Sequence, residues 1–240
     1  MAGRISYESP PHDFHVVSDL LDMMTLRRVV ETIREHAKQY PFAHPTMRDG
    51  KPLSVRVTSF GDFGWWADAK GYRYVDRHPI TGEHWPTIPH AIRVMTSSFL
   101  YAAKPQENHN KWAASVDTVL VNWYAPGASL GWHVDRTEVD KRSPIVTMSI
   151  GASAVFEIRL SGEVHRMTLR HGDGVVMAGA SRNAEHRIVR LESTPTTIQP
   201  DLFGGPIPSV IDTDPLGDGS RMSITWRRTG LAQAAVSPCA

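Results

Sequence analysis

The sequence predicts an α+β protein that is mainly β, a sandwich or jelly roll supported by N-terminal helices. Apolar residues in the first half recur at helical spacing, whereas from Asp117 onward the pattern shortens to strand-length runs closed by Gly, Pro, Asp and Ser. No repeat and no low-complexity linker interrupts the 240 residues. We therefore expect one domain, 1–240, with helices in about residues 1–110 and a β-rich core in about residues 111–230.

Two helices are predicted before the β-rich half. The apolar face of the first recurs at i, i+3, i+4, i+7 and i+11, and consists of Leu26, Val29, Val30, Ile33 and Ala37. It must end before Pro41. The second follows "WPTIPH", with Pro89 in its first turn, and has an apolar face made of Ile92, Met95, Phe99 and Ala102. Both amphipathic patterns favour packing against a sheet.

Strands are predicted in the second half by short apolar runs between turn residues. The runs are "DTVLVNWY", "PIVTMSIG", "AVFEIRL", "GVVMAG", "HRIVRL" and "RMSITWRR". Before the last run lies a long Pro/Gly-rich segment, Ser193–Ser220. A loop of this length is typical of an insertion that shapes a rim or becomes ordered on a partner.

Composition excludes some classes of function and location. Lys plus Arg is 26 and Asp plus Glu is 25, so the net charge of +1 provides no bulk attraction to nucleic acid or membrane. A polyanionic partner must then be held by a local patch. The single cysteine, Cys239, excludes a disulfide framework and a cysteine-based zinc site. With no signal-peptide pattern and no long apolar run, we expect a cytoplasmic monomer that does not contact a membrane.

The segment "LGWHVDRTE" places His133 and Asp135 two residues apart. On a strand, both would project from one face, and an imidazole with a carboxylate supplies two of the three ligands that hold non-haem iron(II). His165, His171 and His186 are candidates for the third ligand. We favour His186, because His171 falls in a turn pattern and His165 has solvated neighbours. On spacing alone, a pair of solvated polar side chains is the simpler interpretation.

The last predicted strand, "RMSITWR", has one wholly polar face. Arg221, Ser223, Thr225 and Arg227 alternate there with apolar residues. An arginine at each end of a buried polar face fits a short dicarboxylate, which guanidinium groups bind in a bidentate manner. The alternative is an exposed edge strand whose charges prevent aggregation. In "NWYAPG", Asn122 and Tyr124 share a face and could donate hydrogen bonds to the same ligand.

Together these motifs resemble the AlkB family of iron(II)- and 2-oxoglutarate-dependent dioxygenases, which reverse alkylation of nucleic acid bases. The resemblance runs from "GWWADAKGY" and "NWYAPGASLGWHVDRTEVD" through "HGDGVVMAG" to "HRIV" and "RMSITWR". It implies a double-stranded β-helix, or jelly roll, with N-terminal supporting helices and a substrate lid. It assigns iron to His133, Asp135 and His186. It assigns 2-oxoglutarate to Asn122, Tyr124, Arg221, Ser223 and Arg227.

The resemblance also implies substrate contacts. Trp65 and Tyr72 belong to the lid that covers the base, whereas Trp66 and Trp85 are expected in the core. Thr137 stands where bacterial relatives have an acid that meets the base, so base preference is open at this position. Glu138, which is matched in the family pattern, is the neighbouring candidate for that contact. Ser223 likewise replaces an asparagine, which predicts weaker or altered contact with oxoglutarate.

The activity implied by the resemblance is oxidative dealkylation that uses Fe(II), 2-oxoglutarate and O2. N1-methyladenine and N3-methylcytosine are the expected lesions, because these cationic bases pair poorly and need less free energy than an intact base to be extruded from a duplex. Single-stranded or double-stranded DNA is the expected partner, with RNA as an alternative. Three basic residues near the site could contact phosphates: Arg136, Lys141 and Arg142.

Three rival interpretations share parts of this pattern. A related dioxygenase acting mainly on RNA or protein would keep every iron and oxoglutarate residue and differ in the lid and rim. A cupin-like metal hydrolase or isomerase would use a zinc-type site and would not need the strand with two arginines. A nucleic-acid-binding module without catalysis would not need an intact iron triad.

Overall fold

The computed structural model describes residues 3–9, 12–104, 109–192, 216 and 218–231. The α-helices in this part of the chain are α1 (Met23–Gln39), α2 (His90–Ala103) and α3 (His109–Ala113). The first five strands are β1 (Arg4–Ser9), β2 (Phe14–Ser18), β3 (Val55–Gly61), β4 (Gly64–Asp68) and β5 (Gly71–Val75). The later strands are β6 (Thr118–Tyr124), β7 (Leu130–His133), β8 (Ile145–Gly151), β9 (Ala154–Leu160), β10 (Glu163–Leu169), β11 (Gly174–Met177), β12 (His186–Leu191) and β13 (Arg221–Arg227).

Two antiparallel sheets form the β core. The major sheet has seven strands in the order β1-β2-β11-β8-β13-β6-β3, and the minor sheet has four in the order β10-β9-β12-β7. Their inner faces share one apolar cluster, in which Val57 and Leu120 of the major sheet are joined by Phe156 and Ile188 of the minor sheet. Two sheets closed over a common core form the sandwich that the strand pattern predicts.

The helices cover the outer face of the major sheet. The apolar sides of α1 and α2 lie in a second cluster with Met222, Ile224 and Trp226 of β13. Asp22 caps α1 by accepting a hydrogen bond from the backbone N–H of Thr25 at 2.7 Å. Both predicted helices are confirmed, although Pro89 lies just before α2 rather than inside its first turn.

The first half of the chain also contains five strands, whereas the sequence pattern predicts only helices there. β1, β2 and β3 extend the major sheet, and β2 pairs with β11 in the register Phe14↔Met177. β4 and β5 form a separate hairpin in the region expected to be the lid. β2 and β3 pair with strands that are distant in sequence, β11 and β6, so a local pattern does not identify them.

Two predictions about segments can be compared with the described residues. The Pro/Gly-rich loop predicted between β12 and β13 falls largely on residues 193–215 and 217, which lie outside the described residues. Among the helices that are described, none is both long enough and apolar enough to span a membrane.

Candidate active site

β13 places four polar side chains between the two sheets. The strand lies in the middle of the major sheet, between β8 and β6, and every residue from Arg221 to Arg227 is buried. Its polar face lines a small cavity of about 50 Å³, which also contacts Asn122, Tyr124 and Thr147. The predicted buried polar face is confirmed, and the alternative of an exposed edge strand is wrong.

Three candidate metal ligands meet at the mouth of this cavity. His133 is the last residue of β7 and lies opposite His186, the first residue of β12. The carboxylate oxygens of Asp135 lie 4.0 Å from Nε2 of His133 and 3.8 Å from Nε2 of His186. One ligand atom of each residue lies within 4.8 Å of the others. The structure therefore brings together the predicted His-Asp-His set.

One detail of that prediction is wrong. β7 ends at His133, so Asp135 lies in the loop after the strand rather than on it. The two other histidine candidates lie elsewhere. His165 Nδ1 is 3.1 Å from the hydroxyl of Tyr7, and His171 Nδ1 accepts a hydrogen bond from the backbone N–H of Gly151 at 3.3 Å.

Backbone contacts orient both imidazoles. Nδ1 of His133 lies 2.9 Å from the carbonyl of Gly131, and Nδ1 of His186 lies 3.1 Å from the carbonyl of Ala184. A carbonyl only accepts, so each Nδ1 carries the proton and each Nε2 keeps its lone pair for a metal. This arrangement fixes the tautomer of both ligands.

The charge states also suit a metal. Burial lowers the pKa of His186 to about 4, although Asp135 opposes this shift, so the imidazole is neutral near neutral pH. Burial alone would raise the pKa of Asp135, but Arg227 and the two histidines hold it well below its usual range. Two imidazoles and one carboxylate with open positions are the donor set of non-haem iron(II) oxygenases, so these residues fit iron.

Arg227 links Asp135, the candidate metal ligand, to the hairpin of β4 and β5 through Glu138. Its guanidinium lies 2.9 Å from Asp135 Oδ2 and donates to Glu138 Oε1 at 2.8 Å. Glu138 also accepts hydrogen bonds from the hydroxyl of Tyr74 at 2.5 Å and from Arg182 at 3.2 Å. The Glu138 carboxylate is therefore directed into this buried network.

Arg221 has different surroundings at the other end of β13. It donates to the backbone carbonyl of Ala152 at 3.1 Å and to the hydroxyl of Ser149. No carboxylate of the described residues lies within ion-pair distance of it, and burial lowers its pKa to about 10. The Nε atoms of Arg221 and Arg227 are buried without a hydrogen-bond partner. A cavity with unpaired cationic donors fits a bound anion such as oxoglutarate.

A second cavity, of about 330 Å³, opens beside the metal ligands. The rings of Trp65 on β4 and Tyr72 on β5 line it and stack with centroids 5.6 Å apart. Tyr72 is 56% exposed, whereas Trp85, which was expected in the core, is 7% exposed. The cavity also contacts Thr137 and the metal ligands His133 and Asp135. It has the size of a small-molecule site, with its aromatic wall on the hairpin.

Trp132 forms a further wall of this cavity that the sequence motifs do not single out. The guanidinium carbons of Arg159 and Arg187 lie 4.8 and 4.6 Å from its ring centroid, within the range of cation–π attraction. These contacts hold the indole in place.

Tyr74 is also absent from the predicted set, although its position two residues after Tyr72 could have indicated it. Arg182 has no sequence signal, because its role depends on the position of Glu138.

Comparison with known proteins identifies the family. The model of the 2OG-Fe(II) oxygenase superfamily matches residues 13–227. The chain is 37% identical over 225 residues to an alpha-ketoglutarate-dependent dioxygenase AlkB homolog of Caulobacter vibrioides, covering 91% of this chain and 89% of that protein. It is 33% identical over 169 residues to alpha-ketoglutarate-dependent dioxygenase AlkB of Escherichia coli, covering 69% and 76% of the two chains.

Human nucleic acid dioxygenase ALKBH1 is 27% identical over 152 residues, covering 60% of this chain and 37% of that protein. The solved structure of OsALKBH1 superposes with a TM-score of 0.73 at 22% identity, covering 94% of this chain and 100% of that one. This likeness confirms the double-stranded β-helix fold. The chain belongs to the 2OG-Fe(II) oxygenase superfamily and, within it, to the AlkB family of Fe(II)- and 2-oxoglutarate-dependent dioxygenases.

Proposed function

We propose that this dioxygenase removes N-linked alkyl groups from bases of nucleic acids. The observation that carries the proposal is the larger cavity, in which the stacked rings of Trp65 and Tyr72 face the same space as the metal ligands. Aromatic faces hold an extruded base by stacking. The relatives named AlkB, and the one named nucleic acid dioxygenase, support the same substrate class.

When bound, Fe(II) and 2-oxoglutarate activate O2 so that one oxygen atom enters succinate, with release of CO2, and the other enters a C–H bond of the alkyl group. For a methyl group, the hydroxymethyl product loses formaldehyde and leaves the base with its N–H. The residues of the chain keep the alkyl carbon close to the metal and hold the co-substrate in a fixed orientation.

The small cavity holds the co-substrate. Arg221 pairs with one carboxylate of oxoglutarate, because it is a buried cation and no carboxylate of the described residues, including Asp173, lies within ion-pair distance of it. Asn122, Tyr124 and Ser223 line the same space and provide neutral hydrogen-bonding groups. Arg227 keeps its Nε for the ligand, while its other nitrogens bind Asp135 and Glu138.

The nucleic acid strand crosses the mouth of the larger cavity. Arg136 lines that cavity and is exposed, and Lys141 and Arg142 are exposed in the loop that follows. Such side chains neutralise phosphates and position a strand without reading its sequence. Single-stranded DNA is the preferred substrate, because it avoids the cost of unpairing the lesion, and RNA is the alternative.

The test uses matched DNA and RNA oligonucleotides that carry one N-methylated base. Formaldehyde release and recovery of the normal base, followed by mass spectrometry, should depend on iron and oxoglutarate and should be abolished in His133→Ala. Trp65→Ala should reduce repair by about tenfold, the value of one lost stacking contact. Trp66→Ala is the matched control, because Trp66 lies next to Trp65 on β4 but is not among the residues that line the cavity.

The alternatives predict different results. Repair confined to the RNA oligonucleotides would indicate an RNA dioxygenase. Oxoglutarate turnover that no methylated oligonucleotide stimulates, with no base restored, would contradict the proposed substrate and favour a protein substrate. The cytoplasmic location and the monomeric state stay predictions from the sequence, to be tested by fractionation and by light scattering.

A further inference from the structure

The larger cavity has a second aromatic wall, which comes from the minor sheet. Trp132 of β7 lines the cavity together with the hairpin residues Trp65 and Tyr72. β7 is the edge strand of the minor sheet, and Trp132 is half-buried there. The next residue along the chain is the metal ligand His133. The indole of Trp132 therefore lies at the rim of the cavity, partly open to solvent.

A β-bulge places Trp132 beside the metal site. Between the pairs His186↔His133 and Ile188↔Leu130, β7 has two residues where β12 has one. Neighbours on a regular strand point to opposite faces of the sheet, whereas a bulge re-aims a side chain. The bulge explains how Trp132 and the metal ligand His133 both line one cavity.

Two arginines restrain the indole from the sheet side. The guanidinium carbons of Arg187 on β12 and Arg159 on β9 lie 4.6 and 4.8 Å from the ring centroid. Both strands lie on the same side of β7 in the sheet order. Arg187 is itself fixed by Glu157 at 2.6 Å, and Arg159 is fixed by Glu185. The indole is thus held toward the sheet, while Trp132 still lines the cavity on its other side.

The rim offers an aromatic surface rather than an excess of charge. Glu157 and Glu185 neutralise the two guanidiniums on the indole, so attraction to phosphates is not its main contribution. Extruding a base into the cavity leaves its neighbour in the strand without one stacking partner. A tryptophan at the rim can replace that partner for any base, because every base has a π-face.

We infer that Trp132 is a stacking platform for one nucleotide adjacent to the extruded base, and that Arg187 and Arg159 are positioning residues that hold it. This role rests on the proposed function and deepens it by adding a contact outside the lesion. The neighbouring base does not react, so its contact is the same before and during the reaction. The contact should therefore lower KM and leave kcat nearly unchanged.

The test removes the neighbouring base and keeps its phosphates. Single-stranded oligonucleotides carry one N3-methylcytosine, with the 5′ or the 3′ neighbour replaced by a tetrahydrofuran abasic residue. The flank ratio is kcat/KM with the neighbouring base divided by kcat/KM without it, on the side where this ratio is larger. We expect a flank ratio of about ten, carried by KM, which is the value of one base–aromatic stack. Anaerobic binding to the enzyme loaded with iron and oxoglutarate should give the same ratio of affinities.

Variants of two tryptophans separate stacking from general packing. Trp132→Leu should reduce the flank ratio to within about twofold of one, and Trp132→Phe should keep an intermediate value. Trp123→Leu is the matched control. Trp123 is also half-buried and has the guanidinium of Arg56 5.3 Å from its ring centroid, but it is not among the residues that line the cavity. This control variant should keep the wild-type flank ratio.

Variants of two arginines test the positioning role. Arg187 and Arg166 both pair with Glu157, at 2.6 and 2.5 Å, but the guanidinium on the indole of Trp132 is that of Arg187. Arg187→Gln should lower the flank ratio by about threefold, the value of one cation–π contact. Arg166→Gln removes a guanidinium from the same carboxylate and should leave the flank ratio unchanged. Equal effects of the two variants would overturn the positioning role of Arg187.

The wild-type protein decides the inference even if a variant does not fold. A flank ratio near one on both sides, with the base restored in every oligonucleotide, would overturn the platform and leave nucleic acid dealkylation intact. A wild-type flank ratio that persists in Trp132→Leu would also overturn it. Failure to restore the base in any oligonucleotide, despite oxoglutarate turnover, would overturn the proposed function and this inference together.

Discussion

Arg221 and Arg227 lie at opposite ends of one buried strand face, yet their surroundings are opposite. Burial acts on both guanidiniums, but Asp135 and the neighbouring network outweigh it at Arg227 and raise its pKa, whereas burial lowers the pKa of Arg221 to about 10. Arg227 has two carboxylate partners, at 2.9 and 2.8 Å. The partners of Arg221 are carbonyl and hydroxyl oxygens.

This difference indicates separate tasks for the two arginines. Arg227 completes the protein's own charge network and thereby positions the metal aspartate. Arg221 remains a buried cation without an ion-pair partner among the described residues, and we therefore propose it as the main anchor for oxoglutarate. Sequence alternation alone predicts the same role for both, because it shows the residue types on a face but not what stands opposite them.

The largest expected effect is on stability, at Arg227. Arg227→Met should lower the free energy of unfolding by about 3–5 kcal/mol, because it removes the arginine that pairs with the buried Asp135 carboxylate and one of the two arginines that pair with Glu138. Urea titration of the metal-free protein measures this. Adding Glu138→Gln to that variant should recover part of the loss, since one stranded charge is removed. A loss below about 1 kcal/mol would show that the network does not carry the stability assigned to it.

The next-largest expected effect is the pH dependence of stability that His36, a buried basic residue of α1, should cause. Burial, with a contribution from His78, lowers the pKa of His36 from 6.5 to about 4, and its Nε2 lies 2.8 Å from the hydroxyl of Thr58. The unfolded chain takes up the proton first as the pH falls. Stability should therefore be complete above pH 6.5 and decline toward pH 4, by up to about 3 kcal/mol from this group.

His36→Gln keeps a hydrogen-bonding group near Thr58 but cannot titrate, so its stability should depend less on pH across this interval. Urea midpoints from pH 7 to pH 4 for the two metal-free proteins test this. Burial is the main influence on His36, which has no ion-pair partner among the described residues, so this measurement gives the effect of burial on a basic group in isolation. Parallel pH profiles for the two proteins would contradict the assignment.

Arg221→Met should weaken oxoglutarate binding without lowering the stability of the protein. We expect a loss of oxoglutarate affinity of about a hundredfold, because a charge-assisted partner in a dry cavity is removed. The free energy of unfolding should stay the same or rise, since no carboxylate is stranded. Calorimetric binding of oxoglutarate to the iron-loaded protein under nitrogen measures the first quantity. Destabilisation as large as that of Arg227→Met would remove the distinction between the two arginines.

The site could be predicted from sequence where a role depends on residue type and periodicity. The polar face of β13 follows from alternation, and the His-Asp-His set follows from ligand chemistry together with the family resemblance. The two main helices follow from apolar spacing and from the prolines near their ends. These features are local in the chain or are read from a matched motif.

Features set by distant partners could not be predicted. β2 is stabilised by pairing with β11, about 160 residues later, so its own short pattern is weak. The direction of Glu138 depends on Arg182 and Arg227, which reach it from other elements. Glu138, which was a candidate for contact with the base, therefore lies in the buried network instead. Its change of role follows from tertiary packing, which spacing does not encode.

The central claim is that the His-Asp-His set and the strand with two arginines form one iron and oxoglutarate site. Anaerobic titration tests it most directly. Iron(II) followed by 2-oxoglutarate should produce the visible charge-transfer band of a chelated complex, and Arg221→Met should bind iron but need far more oxoglutarate to reach the same band. A protein that prefers zinc, shows no band and is indifferent to oxoglutarate would contradict the account.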